Sequence, residues 1–127
     1  MKIKKIPESE LLVMMFIWDS EDKEVASTEI LKTLGEKYEW KKSTMLTFLR
    51  RLVGRGFLEV VKKDRFTYYK ALIEKEEYLK VETKSFFSFF HKNSFESFIS
   101  ALHDDEEVSE NKLKSLEKFI EDWEEDK

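Results

Sequence analysis

In WKKSTMLTFLRRL (40–52) the polar and charged side chains fall in a pattern suited to recognition chemistry. At helical spacing Met45, Phe48, Leu49 and Leu52 share one face, at i, i+3, i+4 and i+7. Ser43, Leu46, Thr47 and Arg50 lie opposite, flanked by Thr44 and Arg51. Hydroxyls can meet phosphates or base edges, an arginine can pair bidentately with guanine, and Leu46 can touch a thymine methyl. Lys41 and Lys42 stand at the start of the helix, where they suit phosphates. A second basic group, Lys62, Lys63 and Arg65 in KKDR (62–65), reads as a hairpin tip aimed at a nucleic-acid backbone, diluted by Asp64. Each group alone has a plainer reading, a solvated helix face or a charged turn that keeps a strand edge soluble. Together they favour DNA.

Covalent chemistry has no comparable pattern. Cysteine is absent, which removes disulfides, thiolate metal sites and cysteine nucleophiles together. There is no nucleophile elbow, no phosphate-cradling glycine loop and no zinc-protease helix. His91 and His103 lie near the acidic run Asp104, Asp105, Glu106 and Glu107, but at no spacing that makes a tetrahedral site. That run reads as a solvated loop before the N-terminus of a last helix. The chain is therefore expected to be no enzyme and to hold no metal or cofactor.

The net charge of −4 conceals an asymmetry. Residues 1–72 carry 15 Lys or Arg and 11 Asp or Glu, whereas residues 73–127 carry 8 and 16. Residues 40–65 alone carry 8 basic and 2 acidic side chains. Local charge sets phosphate attraction, so an acidic protein with a separate basic segment can still bind a duplex. The longest apolar run, LLVMMFIW (11–18), falls short of the roughly 18–20 residues of a membrane span. No signal peptide is evident, so a cytoplasmic location without direct membrane binding is expected.

The elements that must position these groups follow from periodicity. SELLVMMFIWD (9–19) reads as a helix with Leu12, Met15, Phe16 and Trp18 inward, and Pro7 at or before its first turn. VAS (25–27) reads as a short strand, with Ser27 or Thr28 capping a helix over 27–38 that ends near Gly35. The helix of 41–53 ends at Gly54 and Gly56. FLEVVKK (57–63) and RFTYYKAL (65–72) switch to period two, with one of Tyr68 and Tyr69 facing the core. Residues 74–92, 93–103 and 110–125 read as helices, the last capped by Ser109. The fold class is mainly α with a small β-hairpin, a winged helix-turn-helix domain over 1–73 followed by a helical dimerisation region over 74–127. The helix of 41–53 would enter the major groove.

The second region holds SFFSFFHKNSFESF (85–98), with six of the chain's eleven phenylalanines. Phe86, Phe89 and Phe90 share one helical face with Leu79 or Glu82; Phe95, Phe98, Ile99 and Leu102 form another. Leu113, Leu116, Phe119, Ile120 and Trp123 form a third. Burying such faces against a second copy by twofold symmetry removes an aggregation hazard and gives two reading helices for a palindromic site. Other readings are a subdomain packed on its own chain, a small-molecule pocket, or a docking surface on a protein-binding adaptor.

IPESELLVMMFIW (6–18), WKKSTMLTFLRRL (40–52), the G-x-L at 56–58, YYKALIEKEEYLKVETKSFF (68–87) and SFISALHDDEEVS (97–109) together resemble the penicillinase-repressor (BlaI/MecI/CopY) family of bacterial transcription regulators. The resemblance implies a homodimer with an N-terminal winged helix and a C-terminal three-helix dimerisation region. It implies repression at an inverted-repeat operator, commonly built on TACA/TGTA. Thr44, Thr47 and Arg51 match the family's reading-helix pattern; Ser43, Leu46 and Arg50 differ from its best-known members. In the β-lactam-resistance branch a membrane-bound sensor protease system leads to a cut in the dimerisation region at an Asn-Phe bond, and Ser100–Ala101 occupies the matching position. The copper branch senses through a cysteine cluster, which this chain lacks.

Overall fold

Because LLVMMFIW is apolar on every side, its own periodicity does not choose a buried face. In the computed structural model, which describes residues 3–89, 100–104 and 109–125, α1 (Glu8–Asp19) buries Glu10, Val13, Met14 and Ile17. The expected inward set of Leu12, Met15, Phe16 and Trp18 is instead half-buried. The true seam includes a glutamate, which disguises it in sequence. Pro7 is the N-cap, and its carbonyl accepts the Leu11 amide at 2.9 Å.

β1 (Glu24–Ala26) runs directly into α2 (Ser27–Tyr38), so Ala26 takes the N-cap position with no side-chain cap, and neither Ser27 nor Thr28 serves. Gly35 lies in the last turn of α2, near its end as expected. A Cβ there would lie 3.2 Å from Met45 Cε, so the glycine lets α3 (Lys42–Gly54) pack closely across the turn. Glu39 closes α2 in the left-handed conformation at φ 57°.

Gly56 ends α3. The Phe57 amide donates to the Leu52 carbonyl at 2.9 Å and the Gly56 amide to Val53 at 3.1 Å, a Schellman closure with Gly56 at φ 81°. Leu52 and Phe57, which flank it, are both buried. A Cβ in this conformation is strained, so Gly56→Ala is expected to lower stability by about 1–2 kcal/mol, read from urea unfolding midpoints. An unchanged midpoint would show that the turn relaxes.

β2 (Leu58–Lys63) and β3 (Phe66–Ala71) form the hairpin, and β1 joins on the far side of β3 to give an antiparallel sheet of order β1-β3-β2. Its register pairs Val25 with Tyr69, and Tyr69 with Val60. Val25, Leu58 and Tyr69 therefore face the helices, joining Met14, Ile30, Leu34, Leu49 and Leu52 in one core. Tyr69, not Tyr68, is the core tyrosine. The architecture is a winged helix.

The core continues past residue 73. Ile73 is buried, Trp18 Nε1 donates to its carbonyl at 2.9 Å, and Tyr78 on α4 (Lys75–Phe89) is fully buried. The first compact unit accordingly runs Met1–Thr83 and the second Lys84–Lys127. Within the second, residues 100–103 are helical and α5 spans Glu110–Glu125. The Lys112 amide donates to Ser109 Oγ at 3.2 Å, the cap expected there. Among the described residues, no helix is long and apolar enough to cross a membrane.

Candidate nucleic-acid interface

Burial divides α3 into two faces. Met45, Leu49 and Leu52 are sealed in the core, while Lys41, Lys42, Ser43 and Arg50 are exposed and Thr44 and Thr47 half-buried. Ser43, Thr47 and Arg50 recur at i, i+4 and i+7 and so form one stripe. Thr47 Oγ1 donates to the Ser43 carbonyl at 3.0 Å, which leaves its lone pairs to accept from a base amino group. Leu46 does not stand free beside them; it is half-buried and packs in part on the core. The outward chemistry is therefore hydroxyl and guanidinium with a basic entry at Lys41 and Lys42.

An aromatic clamp fixes the turn into this helix. Tyr38 stacks on Trp40 with centroids 4.6 Å apart, and Trp40 meets Phe48 edge-on at 5.2 Å. Phe48, expected on the core face, is half-buried and packs against the core from its edge. These three residues share no period, so no sequence signal joins them.

At the other end of α3, Arg55 donates to the carboxylate of Glu10, which has no exposed surface. Arg51, an expected DNA contact, has its Nη1 3.9 Å from the second oxygen of Glu10, yet its side chain is 57% exposed. Arg51 can thus attend Glu10 and still present charge outward. Arg55 was no part of the sequence expectation, because its partner lies 45 residues away on another helix.

The hairpin tip is less uniform than its charges suggest. Asp64 takes φ 57°, which aspartate tolerates in a tight turn. Lys62 and Arg65 are exposed. Lys63 is turned back along the sheet, its ammonium 3.0 Å from Glu24 Oε1 and 5.8 Å from the Tyr68 ring centroid. Such a surface pair is worth about 1 kcal/mol or less, so a phosphate could still recruit Lys63.

Of the expected dimerisation residues, Phe86 is exposed, Leu102 and Leu116 are half-buried and Leu113 is buried. Phe90, Phe95, Phe98 and Ile99 lie outside the described residues, and of Phe89, Phe119, Ile120 and Trp123 only the helical backbone is described. Ser100 and Ala101 are helical and exposed. His103 Nε2 lies 3.4 Å from Glu117 Oε1. Among the described residues no cluster of three metal-ligating side chains occurs; His91 lies outside them.

Comparison with known proteins gives a family model described as penicillinase repressor, matching residues 6–122. The penicillinase repressor of Bacillus licheniformis is 27% identical over 121 residues, covering 95% of this chain and 93% of the relative. The methicillin resistance regulatory protein MecI of Staphylococcus aureus (strain N315) is 24% identical over 119 residues, covering 94% and 95%. Two solved structures match 60% of this chain and 90% of their own, each at 32% identity. They are the DNA-binding domain of the repressor BlaI (TM-score 0.53) and monomeric Bacillus licheniformis BlaI in complex with the blaP half-operator (TM-score 0.52).

Proposed function

The chain belongs to the penicillinase repressor family, and we propose that it works as a homodimer on an inverted-repeat operator, each protomer reading one half with α3. It is a DNA-binding transcriptional repressor rather than an enzyme. The observation that carries the reading is the α3 stripe of Ser43, Thr47 and Arg50, opposite the buried Met45, Leu49 and Leu52. Packing fixes that helix and leaves its polar side open. Lys41, Lys42, Thr44 and Arg51 flank the stripe, with Leu46 at its margin, and Lys62, Lys63 and Arg65 meet the backbone beside it.

The helices of 74–127 supply the dimer contacts. The exposed Leu79 and Phe86, seven residues apart on α4, support this, since both would be covered in a dimer. A protomer alone makes half the contacts, so losing the dimer weakens operator binding steeply. Release follows when a signal cuts the chain at Ser100–Ala101 or otherwise loosens the dimer. The exposure of that bond on a helix supports access, after local unwinding. A membrane-bound sensor protease system and β-lactam resistance are the setting that family membership favours, and a TACA/TGTA-like repeat the operator.

Selection of bound duplexes from a random pool tests the reading. The wild type is expected to enrich an inverted repeat and a Thr47→Ala, Arg50→Ala double variant to lose it. Log affinity should fall steeply with log salt. No enrichment together with a flat salt response would overturn the repressor mechanism and favour a protein-docking role.

A further inference from the structure

The most exposed large apolar side chain among the described residues is Phe66, at 58%, and it sits at the tip of the basic hairpin. Its register partner across the hairpin is Lys63. A lysine stem opposite a phenylalanine would ordinarily cover the ring. Here Lys63 leans the other way, across β3 toward Glu24 and over Tyr68, and so draws both its stem and its charge off the tip. The tip is left with one uncovered aromatic ring and two exposed cations, Arg65 in the turn and Lys62, which pairs with Thr67, on the other face of the ribbon.

That grouping matches one kind of surface. A single exposed phenylalanine in neutral surroundings needs no explanation. A phenylalanine on a narrow two-stranded projection that also carries cations, at its turn and on its other face, fits a polyanion with apolar walls, which is the minor groove of duplex DNA. There phosphates line the rims, while deoxyribose faces and base-step edges form the sides, against which apolar side chains wedge. We infer that Phe66 enters the minor groove beside the half-site read by α3 and packs on deoxyribose and base edges, while Arg65 and Lys62 meet the phosphates nearby. This rests on the proposed operator binding. It adds a contact that senses groove width and step flexibility instead of a base's hydrogen-bonding pattern.

The ring neutralises no phosphate, so its loss has a signature different from that of a cation. The duplex enriched by the wild type is titrated by fluorescence anisotropy across a salt series, using full-length protein. Phe66→Ala is expected to bind about tenfold more weakly per half-site, about a hundredfold for the dimer, at the low end for removing an aromatic from each nucleic-acid contact. Its salt slope should be unchanged. A Lys62→Ala, Arg65→Ala variant should flatten the slope by about 1.8 per protomer, about 3.6 for the dimer on its inverted repeat. Phe66→Leu keeps an apolar wedge and should retain most of the affinity, with the thermal midpoints of both Phe66 variants near wild type. Equal affinity of wild type and Phe66→Ala on an enriched duplex would remove this contact alone, and so would a flattened slope in Phe66→Ala. If the wild type enriches no duplex, operator binding itself fails and this contact goes with it.

Discussion

Replacing Arg55 with alanine is expected to lower the stability of the first unit by about 3–5 kcal/mol, the usual cost of stranding one partner of a buried ion pair. Glu10 has no exposed surface, and Arg55 is its hydrogen-bond donor. The two charges are not equally buried, however. The Arg55 side chain is 44% exposed, so it can fall back on water if the carboxylate disappears. The reverse change, Glu10→Met, should therefore be mild. It replaces the buried charge with an apolar side chain of similar volume and leaves both arginines hydrated. Urea unfolding of the two variants separates these cases, with Arg55→Ala shifted strongly and Glu10→Met little. Similar shifts would mean that Arg51, 3.9 Å away, swings in to rescue Glu10. The pair ties the last turn of α3 to α1, so the asymmetry bears on function. An Arg55→Ala protein loses the reading helix's anchor, whereas Glu10→Met frees Arg51 and Arg55 to meet phosphate, and its salt slope should steepen.

What could be read in advance follows from how each interaction is written along the chain. The two faces of α3 were legible because a thirteen-residue helix between a core and solvent must alternate with its own period. The hairpin was legible from its change to period two. α1 was not, because apolar residues ring it and a glutamate occupies the buried seam. The charge that makes Glu10 look external is cancelled by Arg55, 45 positions on, and no local pattern records that. The reach of the core into α4 was missed for a similar reason. Tyr78 lies in a strongly charged stretch, EKEEYLK (74–80), whose average character is that of a solvated helix. At the hairpin tip the basic residues were visible, but the diversion of Lys63 to Glu24 depends on β1 pairing with β3, a relation between distant segments. Local periodicity fixes which way a helix faces; cross-chain ion pairs fix which charges remain available.

Tyr78→Ala should be comparably severe, costing about 3–5 kcal/mol as a large buried aromatic is emptied from the core. The ring is fully buried, edge-on to Phe57 at 5.5 Å and tilted against Trp18 at 5.9 Å. Its hydroxyl accepts the Ile6 amide at 2.9 Å and donates to the Glu82 carboxylate. One side chain thus joins the N-terminal segment, α1, the turn between α3 and β2, and α4. Tyr78→Phe keeps the ring and removes only the hydroxyl, leaving the Ile6 amide without its acceptor at a cost of about 1–3 kcal/mol. Titration isolates that polar part. Burial, then the hydrogen bond to Glu82, pushes the phenol up from 10.0 to about 12, despite the opposing Ile6 amide. The neutral phenol is therefore favoured in the fold, and its contribution is complete below pH 10 and drains away as pH rises toward 12. Above that range Tyr78 is ionised, can no longer donate to Glu82 and faces a like charge. Wild type and Tyr78→Phe should differ fully near neutrality and converge at alkaline pH. The phenylalanine variant should still show some alkaline loss, because burial also raises the Tyr69 phenol. A stability gap that stays constant from pH 8 to 12 would mean that the hydroxyl contributes by shape alone and that its proton is not held between Ile6 and Glu82.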